Sequence, residues 1–213
     1  MGTFSDVRRF FREFRRDFHH TGSVIPSSRF LARELARPLL GERGPFNVLE
    51  CGPGTGSVTR CLLRRLRPDD RLDAVEINPT FAELLSRRLE SDPDFAPHRQ
   101  QVRIINARLQ DVPGQALYDV IVSGLPLANF SIADVRTIFA AYRRLLKPTG
   151  VLSYFEYAFL RRLKVPFAGK SGRYHLARKG RLLKRYLDRH QLDCSRIWLN
   201  VPPAMVRRLR FDD

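Results

Sequence analysis

No apolar run in this chain approaches the roughly 20 residues that a membrane-spanning helix needs, and charge interrupts the N-terminus where a secretion signal requires an unbroken hydrophobic segment. Membrane crossing and export are therefore not expected, and the reading is a soluble, cytoplasmic protein. The 3 cysteines, Cys51, Cys61 and Cys194, are odd in number, widely separated and without CxxC or Cys/His metal spacing. They read as reduced thiols, and no metal site is expected. Internal repeats and low-complexity tracts are absent. Acidic residues are scarce, 22 Asp plus Glu against 38 Lys plus Arg, for a net charge of +16. Such a field favours a polyanionic partner, either nucleic acid or an anionic membrane surface, and composition does not choose between them.

A length of 213 residues suits one α/β domain with appendages. Residues 4–18, "FSDVRRFFREFRRDF", place Phe4, Val7, Phe10, Phe11, Phe14 and Phe18 at helical steps of three and four, with Arg8, Arg9, Arg12, Arg15 and Arg16 filling the rest of the wheel. Packing on the core is one reading of this helix. A helix lying in a membrane interface, arginines on phosphates and phenylalanines among acyl chains, fits the composition better. The expected organisation is thus an amphipathic membrane-binding helix over 1–22 and a catalytic domain over 23–213, with a basic insertion at about 161–190.

After "HHTGSVIPSS", with Ser27 or Ser28 as an N-cap, "RFLARELARPLL" reads as a helix up to Pro38. Apolar runs at 46–51, 72–77, 102–105, 118–123 and 151–157 then alternate with helical patterns at about 55–67, 79–90 and 131–146. Strands separated by helices predict parallel βαβ units. A basic helical segment at about 173–190 precedes two last apolar stretches, "CSRIWLNV" and "AMVRRLRF", expected to close as a hairpin.

The chemistry-bearing stretch is "VLECGPGTGSVTR", residues 48–60. A strand, a glycine-rich turn and a helix admit a ligand close to the backbone, because side chains there would collide with it. Gly52, Gly54 and Gly56 fall at relative positions 1, 3 and 5, not the 1, 3 and 6 of the dinucleotide fingerprint, and the turn lacks the Lys-[Ser/Thr] of a P-loop. Downstream, "RLDAVEINP" ends a second strand at Glu76, where a carboxylate can accept from both hydroxyls of a ribose.

With these residues the chain resembles the class I S-adenosylmethionine-dependent methyltransferases. The resemblance implies a Rossmann-like α/β fold with a mostly parallel seven-stranded sheet and an antiparallel C-terminal strand. It further implies S-adenosylmethionine as cofactor, S-adenosylhomocysteine as product, and no metal. Glu50 would lie near the methionine amine, the turn Gly52, Gly54, Thr55 and Gly56 would wrap the amino-acid part, and Glu76 with Ile77 would hold the ribose. Asn106 stands where that family usually has an Asp facing adenine, with Ala107 against the ring; Asp111 is the alternative. Cys51 reads as a packed small residue rather than a nucleophile.

The fourth strand runs into "SGLPLANF", residues 123–130, similar to the Asn-Leu-Pro-Tyr type motif of amine methyltransferases. Leu127 stands in place of the aromatic on which a flipped base would stack, so a non-aromatic amine becomes the better acceptor. "GSVIPSSR", "LECGPGTGSVTR", "SGLPL" and "NVPPAMVRRL" together resemble the bacterial phospholipid N-methyltransferases, which methylate phosphatidylethanolamine toward phosphatidylcholine. Ornithine-lipid N-methyltransferases are similar.

That resemblance implies Ser27, Ser28 and Ser123 among the cofactor contacts. It also implies peripheral attachment to the inner face of the cytoplasmic membrane through the first helix, by way of Phe4, Phe10, Phe11, Phe14 and Phe18 with Arg8, Arg9, Arg12, Arg15 and Arg16. The acceptor amine would meet Ser123, Gly124 and Leu125, and the candidates for proton acceptance or ammonium binding are Tyr154, Glu156 and Tyr157 on "LSYFEYAF". Strand alternation puts Tyr154 and Glu156 on one face and Tyr157 on the other. In 161–190, 11 Lys or Arg accompany one Asp, and Lys170, Arg173, Arg178 and Lys179 are candidates for lipid phosphates. Tyr174 and His175 are placed near the amine, and His19 and His20 at the interface. A monomer that does not bind nucleic acid is expected. The competing readings are a ribosomal RNA adenine dimethylase, which the charge would also suit, and a non-enzymatic binder of the cofactor or of lipid.

Overall fold

A computed structural model describes residues 28–41, 44–157, 170–200 and 202–211, and for 170–177 and 179 the backbone alone. The helix expected over 1–22, with His19, His20 and Ser27, lies outside the described residues, as do residues 161–169 and the side chains of Lys170, Arg173, Tyr174, His175 and Lys179. No helix among the described residues is long and apolar enough to cross a membrane.

Helix α1 (Arg29–Leu35) starts where Ser28 Oγ accepts from the Leu31 amide at 3.3 Å, and a 3-10 turn carrying Pro38 ends it. Strand β1 (Asn47–Cys51) is buried after its first residue, as suits a central parallel strand covered on both faces. Then follow α2 (Ser57–Leu63), β2 (Arg71–Val75), α3 (Pro79–Ser91), β3 (Val102–Ile105), β4 (Tyr118–Ser123), α4 (Ile132–Leu145), β5 (Leu146–Tyr157), α5 (Lys170–His190), β6 (Gln191–Ile197) and β7 (Ala204–Leu209). Asn78 caps α3 ahead of Pro79, and Ser131 with Asp134 forms a capping box on α4.

The seven strands order as β3-β2-β1-β4-β5-β7-β6. All are parallel except β7, which runs antiparallel to β5 and to β6. This is the Rossmann-like methyltransferase sheet that the family resemblance implied, and its parallel βαβ units are those the sequence pattern predicted. One core layer packs α1, α2 and α3 through Leu31, Leu35, Leu62 and Leu85, and the other packs α4 and α5 through Val135, Phe139, Tyr142 and Leu183. The basic stretch is corrected in one respect. Residues 170–190 are not an insertion beside the fold but the helix that crosses from β5 to β6, with Leu183 buried and the Tyr186 ring stacked on Phe139 at 4.3 Å. The helical reading at about 173–190 agrees with this helix, whereas its packing on α4 depends on long-range contacts.

Candidate active site

Every parallel strand delivers its last residue to one edge of the sheet, so the ends of β1, β2, β3 and β4 meet there. Gly52, Gly54 and Gly56 all have positive φ, at 70°, 56° and 85°. Each stands there for a different reason. A Cβ on Gly52 would come 2.8 Å from Leu125 Cδ2, and one on Gly56 2.9 Å from Leu85 and 3.1 Å from Phe95, whereas among the described residues a Cβ on Gly54 would meet nothing within 4 Å. The outer glycines permit close packing, and the middle one opens onto free space. Arg88 donates to the Thr55 carbonyl at 2.7 Å and steadies the turn from α3.

Glu50, at the penultimate position of β1, is 1% exposed, and among the described residues neither of its carboxylate oxygens has a hydrogen-bond partner. Burial pushes its pKa up to about 8, with the neighbouring Thr59 drawing it back and the Glu76 charge adding to it. A buried, unpartnered acid of this kind is a ready receptor for an ammonium group. Glu76, equally buried, accepts from the Gly54 amide at 3.0 Å and from the Asn78 amide at 2.8 Å. Desolvation raises its pKa against those backbone bonds. Each oxygen keeps a second lone pair for a further donor. Asn106 Nδ2 donates to the Glu76 carbonyl at 2.7 Å, the Asn106 residue is exposed, and Ala107 follows half-buried. Asp111 sits exposed five residues on, at the end of a 3-10 turn, and Ile77 is half-buried beside Glu76.

The end of β4 lies directly over the glycine turn. The Gly124 amide donates to the Cys51 carbonyl at 2.8 Å, and a Cβ on Gly124 would fall 2.8 Å from the Gly52 oxygen. Ser123 is wholly buried; its hydroxyl bonds to that of Tyr142 at 2.6 Å and accepts from the Leu125 amide at 3.2 Å, so it shapes the 123–127 loop from beneath. Tyr154 also lies fully in the core, edge-on to Phe139, and donates to Glu156 at 3.3 Å. Burial drives its phenol well above the usual tyrosine range, so it stays protonated. Glu156 is half-buried and ion-paired to Arg207 at 3.4 Å. Tyr157 lies on the opposite face with Phe155, the two ring centroids 5.1 Å apart. The structure thus joins Tyr154 to Glu156 and separates Tyr157 from both.

Four participants escaped the sequence reading: Thr59, Tyr142, Arg88 and Arg207. Thr59 was accessible in principle, because it shares the inward face of α2 with Val58, Leu62 and Leu63. The others reach the site only through tertiary contacts. Cys51 is buried and its thiol raised well above its usual value by that burial, which leaves it inert.

These residues fit S-adenosylmethionine on three observations: an unpartnered buried carboxylate for the amino group, open space at Gly54 for the methionine part, and Glu76 beside Asn106 for the nucleoside. The methyltransferase domain family matches residues 48–150. An ornithine lipid N-methyltransferase of Singulisphaera acidiphila is 34% identical over 131 residues, covering 62% of this chain and 67% of that protein. A tRNA1(Val) (adenine(37)-N6)-methyltransferase of Aeromonas hydrophila is 30% identical over 131 residues, covering 53% of each. Among solved structures, the 1,6-didemethyltoxoflavin-N1-methyltransferase of Burkholderia thailandensis, with 1,6-didemethyltoxoflavin and S-adenosylhomocysteine bound, superposes with a TM-score of 0.62 at 18% identity over 100% of this chain and 92% of that one.

Proposed function

The chain belongs to the S-adenosylmethionine-dependent methyltransferases, and from that premise we propose that it methylates the primary amine of a membrane amino lipid, an ornithine-type head group ahead of phosphatidylethanolamine. The carrying observation is the relative from Singulisphaera acidiphila, matched across two thirds of its length. It reverses the order of head groups that the sequence motifs suggested.

In this reading Glu50 receives the cofactor's ammonium, the Gly54 turn admits its methionine part, and Glu76 and Asn106 hold the ribose and adenine. When bound, the cofactor supplies an electrophilic methyl on a sulfonium for in-line displacement. The backbone carbonyls at Gly124 and Leu125 orient the acceptor nitrogen, and their alignment carries much of the rate. An alkylamine, with a reference pKa near 10.4, arrives mostly protonated. Glu156, held by Tyr154 and Arg207, is the carboxylate we assign to receive that proton. The N-terminal segment with its phenylalanines and arginines, and the basic residues Lys170, Arg173, Arg178 and Lys179, are assigned to the anionic membrane surface.

A second reading, an adenine N6-methyltransferase acting on RNA, is favoured by the net charge of +16 and by the Aeromonas relative. Leu127 in place of an aromatic argues against it. Labelled methyl transfer from S-adenosylmethionine to vesicles of ornithine lipid or phosphatidylethanolamine, with transfer RNA and ribosomal RNA in parallel, separates the readings. Label on either lipid supports the proposal, and label on RNA alone overturns it. Deleting residues 1–22 should abolish vesicle binding while cofactor affinity stays within twofold; retained vesicle binding would remove the membrane assignment of that segment.

A further inference from the structure

Between α4 and α5 lies a cavity of about 210 Å³ lined by Ile132 and Arg136 from α4 and by Arg178, Arg181, Leu182 and Arg185 from α5. Four guanidinium groups surround one small space. Several arginines elsewhere are neutralised by carboxylates: Arg60 and Arg64 by Asp94, Arg103 by Asp73, Arg208 by Glu34 and Asp193. Among the described residues no carboxylate pairs with Arg136, Arg181 or Arg185. All four arginines are solvent-exposed, so water and salt screen part of their mutual repulsion, and an anion seated among them would relieve the rest.

The arrangement is built on rigid elements. Arg178, Arg181 and Arg185 follow helical spacing on one face of α5, and the stacked rings of Phe139 and Tyr186 hold that helix against α4. It is also well placed. Residue 132 opens the helix that continues directly from the 123–130 loop, and Arg136 is only about 6 Å farther along the axis at 1.5 Å per residue. β6 runs parallel to β5, so α5, which precedes it, begins at the same edge of the sheet as the loop.

We infer that this cavity binds the oxyanion that a zwitterionic amino lipid carries beside its amine, a phosphodiester or a carboxylate, while the amine reaches the 123–127 loop. The inference rests on the lipid-amine reading above and deepens it. Guanidinium forks match both oxyanions bidentately, and Ile132 with Leu182 offers apolar contact to the adjoining methylenes. The cavity thereby selects head groups in which an anion accompanies the amine.

The test uses the full chain in uncharged maltoside micelles, which removes the general attraction of a charged surface. Arg136→Gln and the double variant Arg181→Gln/Arg185→Gln should lower kcat/KM at least tenfold, mainly through KM, on whichever of ornithine lipid and phosphatidylethanolamine the wild type methylates. On stearylamine, an amine without an anion, the loss should stay below twofold. Lys184→Gln, which removes a charge from the same helix outside the cavity, should change neither. Loss on phosphatidylethanolamine assigns the phosphodiester, and loss on ornithine lipid the carboxylate. Unchanged kcat/KM on both lipids, or equal losses on stearylamine and lipid, overturns the site. Calorimetric titration with inorganic phosphate and with glycerophosphoethanolamine provides a readout independent of methyl transfer. Binding that the double variant loses, in a wild type that methylates no lipid, keeps the anion site and discards the lipid-amine reading; absence of both binding and lipid discrimination discards the site.

Discussion

The Gly54 amide donates to the Glu76 carboxylate at 3.0 Å, so an acid at the end of β2 holds the glycine turn at the end of β1 across 22 residues of sequence. One side chain therefore both shapes the turn and lines the nucleoside end of the site. Glu76→Ala is expected to weaken S-adenosylmethionine binding at least tenfold and to lower the unfolding free energy by about 1–3 kcal/mol, because the Gly54 and Asn78 amides lose their acceptor. Titration calorimetry and chemical denaturation of the same preparations check both effects. Unaltered affinity would remove Glu76 from the cofactor site.

Glu50 couples cofactor binding to pH. With its carboxyl raised to about 8, the folded chain keeps between about pH 4.5 and 8 a proton that the unfolded chain has released, so stability falls as pH rises through that window. A bound ammonium favours the carboxylate and expels the proton. Affinity for S-adenosylmethionine should consequently rise by up to tenfold per pH unit below about 8, levelling where the ligand's own amino group titrates, near 7.7–8.0 by reference. Calorimetry at pH 6.5 in two buffers of different ionisation enthalpy should show proton release approaching one per site, and Glu50→Gln should abolish it. Release near zero in the wild type would contradict this placement.

The glycines of the turn should separate by phenotype. Gly54→Ala places a methyl in open space, so it is expected to cost about 1–2 kcal/mol through its positive φ but more than tenfold in cofactor affinity. Gly56→Ala drives a methyl into Leu85 and Phe95, and about 3 kcal/mol of stability should be lost from strain and overpacking together. Thermal denaturation against cofactor Kd distinguishes the two; an equal stability loss in both variants would mean that the turn repacks as a unit.

Tyr142 should matter for the acceptor loop although it touches no ligand in the proposed scheme. Tyr142→Phe leaves the buried Ser123 hydroxyl without one of its partners, for a loss of about 1–2 kcal/mol. If the 123–127 loop is aligned from below by that hydroxyl pair, kcat should fall several-fold with cofactor Kd unchanged. An unchanged kcat would restrict Tyr142 to packing.

Much of the fold was legible because its signals are local. The run at 118–123 and the helix at 79–90 were placed within a residue of β4 and α3, since apolar periodicity acts over a few neighbours. The edges were less exact. The pattern at 55–67 became a helix of Ser57–Leu63, and the run at 151–157 was extended back to Leu146 by pairing with Tyr118, a long-range partner. Within the site, Glu76 and the glycine turn were readable from type and spacing and Glu50 from the family resemblance, whereas Arg207 beside Glu156 depends on β7 folding back next to β5.

What the sequence alone determined is the order of strands and helices, the glycine turn with its two acids, and an excess of positive charge seeking an anion. Those properties reside in composition and short-range periodicity, which the chain carries whether folded or not. Among the described residues, tertiary structure decided which glycine faces open space, that Glu50 is buried without a partner, and that α4 and α5 bring Arg136 beside Arg181 and Arg185. Each of those depends on the distance between residues far apart in the chain, and only the packing of helices on both faces of the sheet sets it.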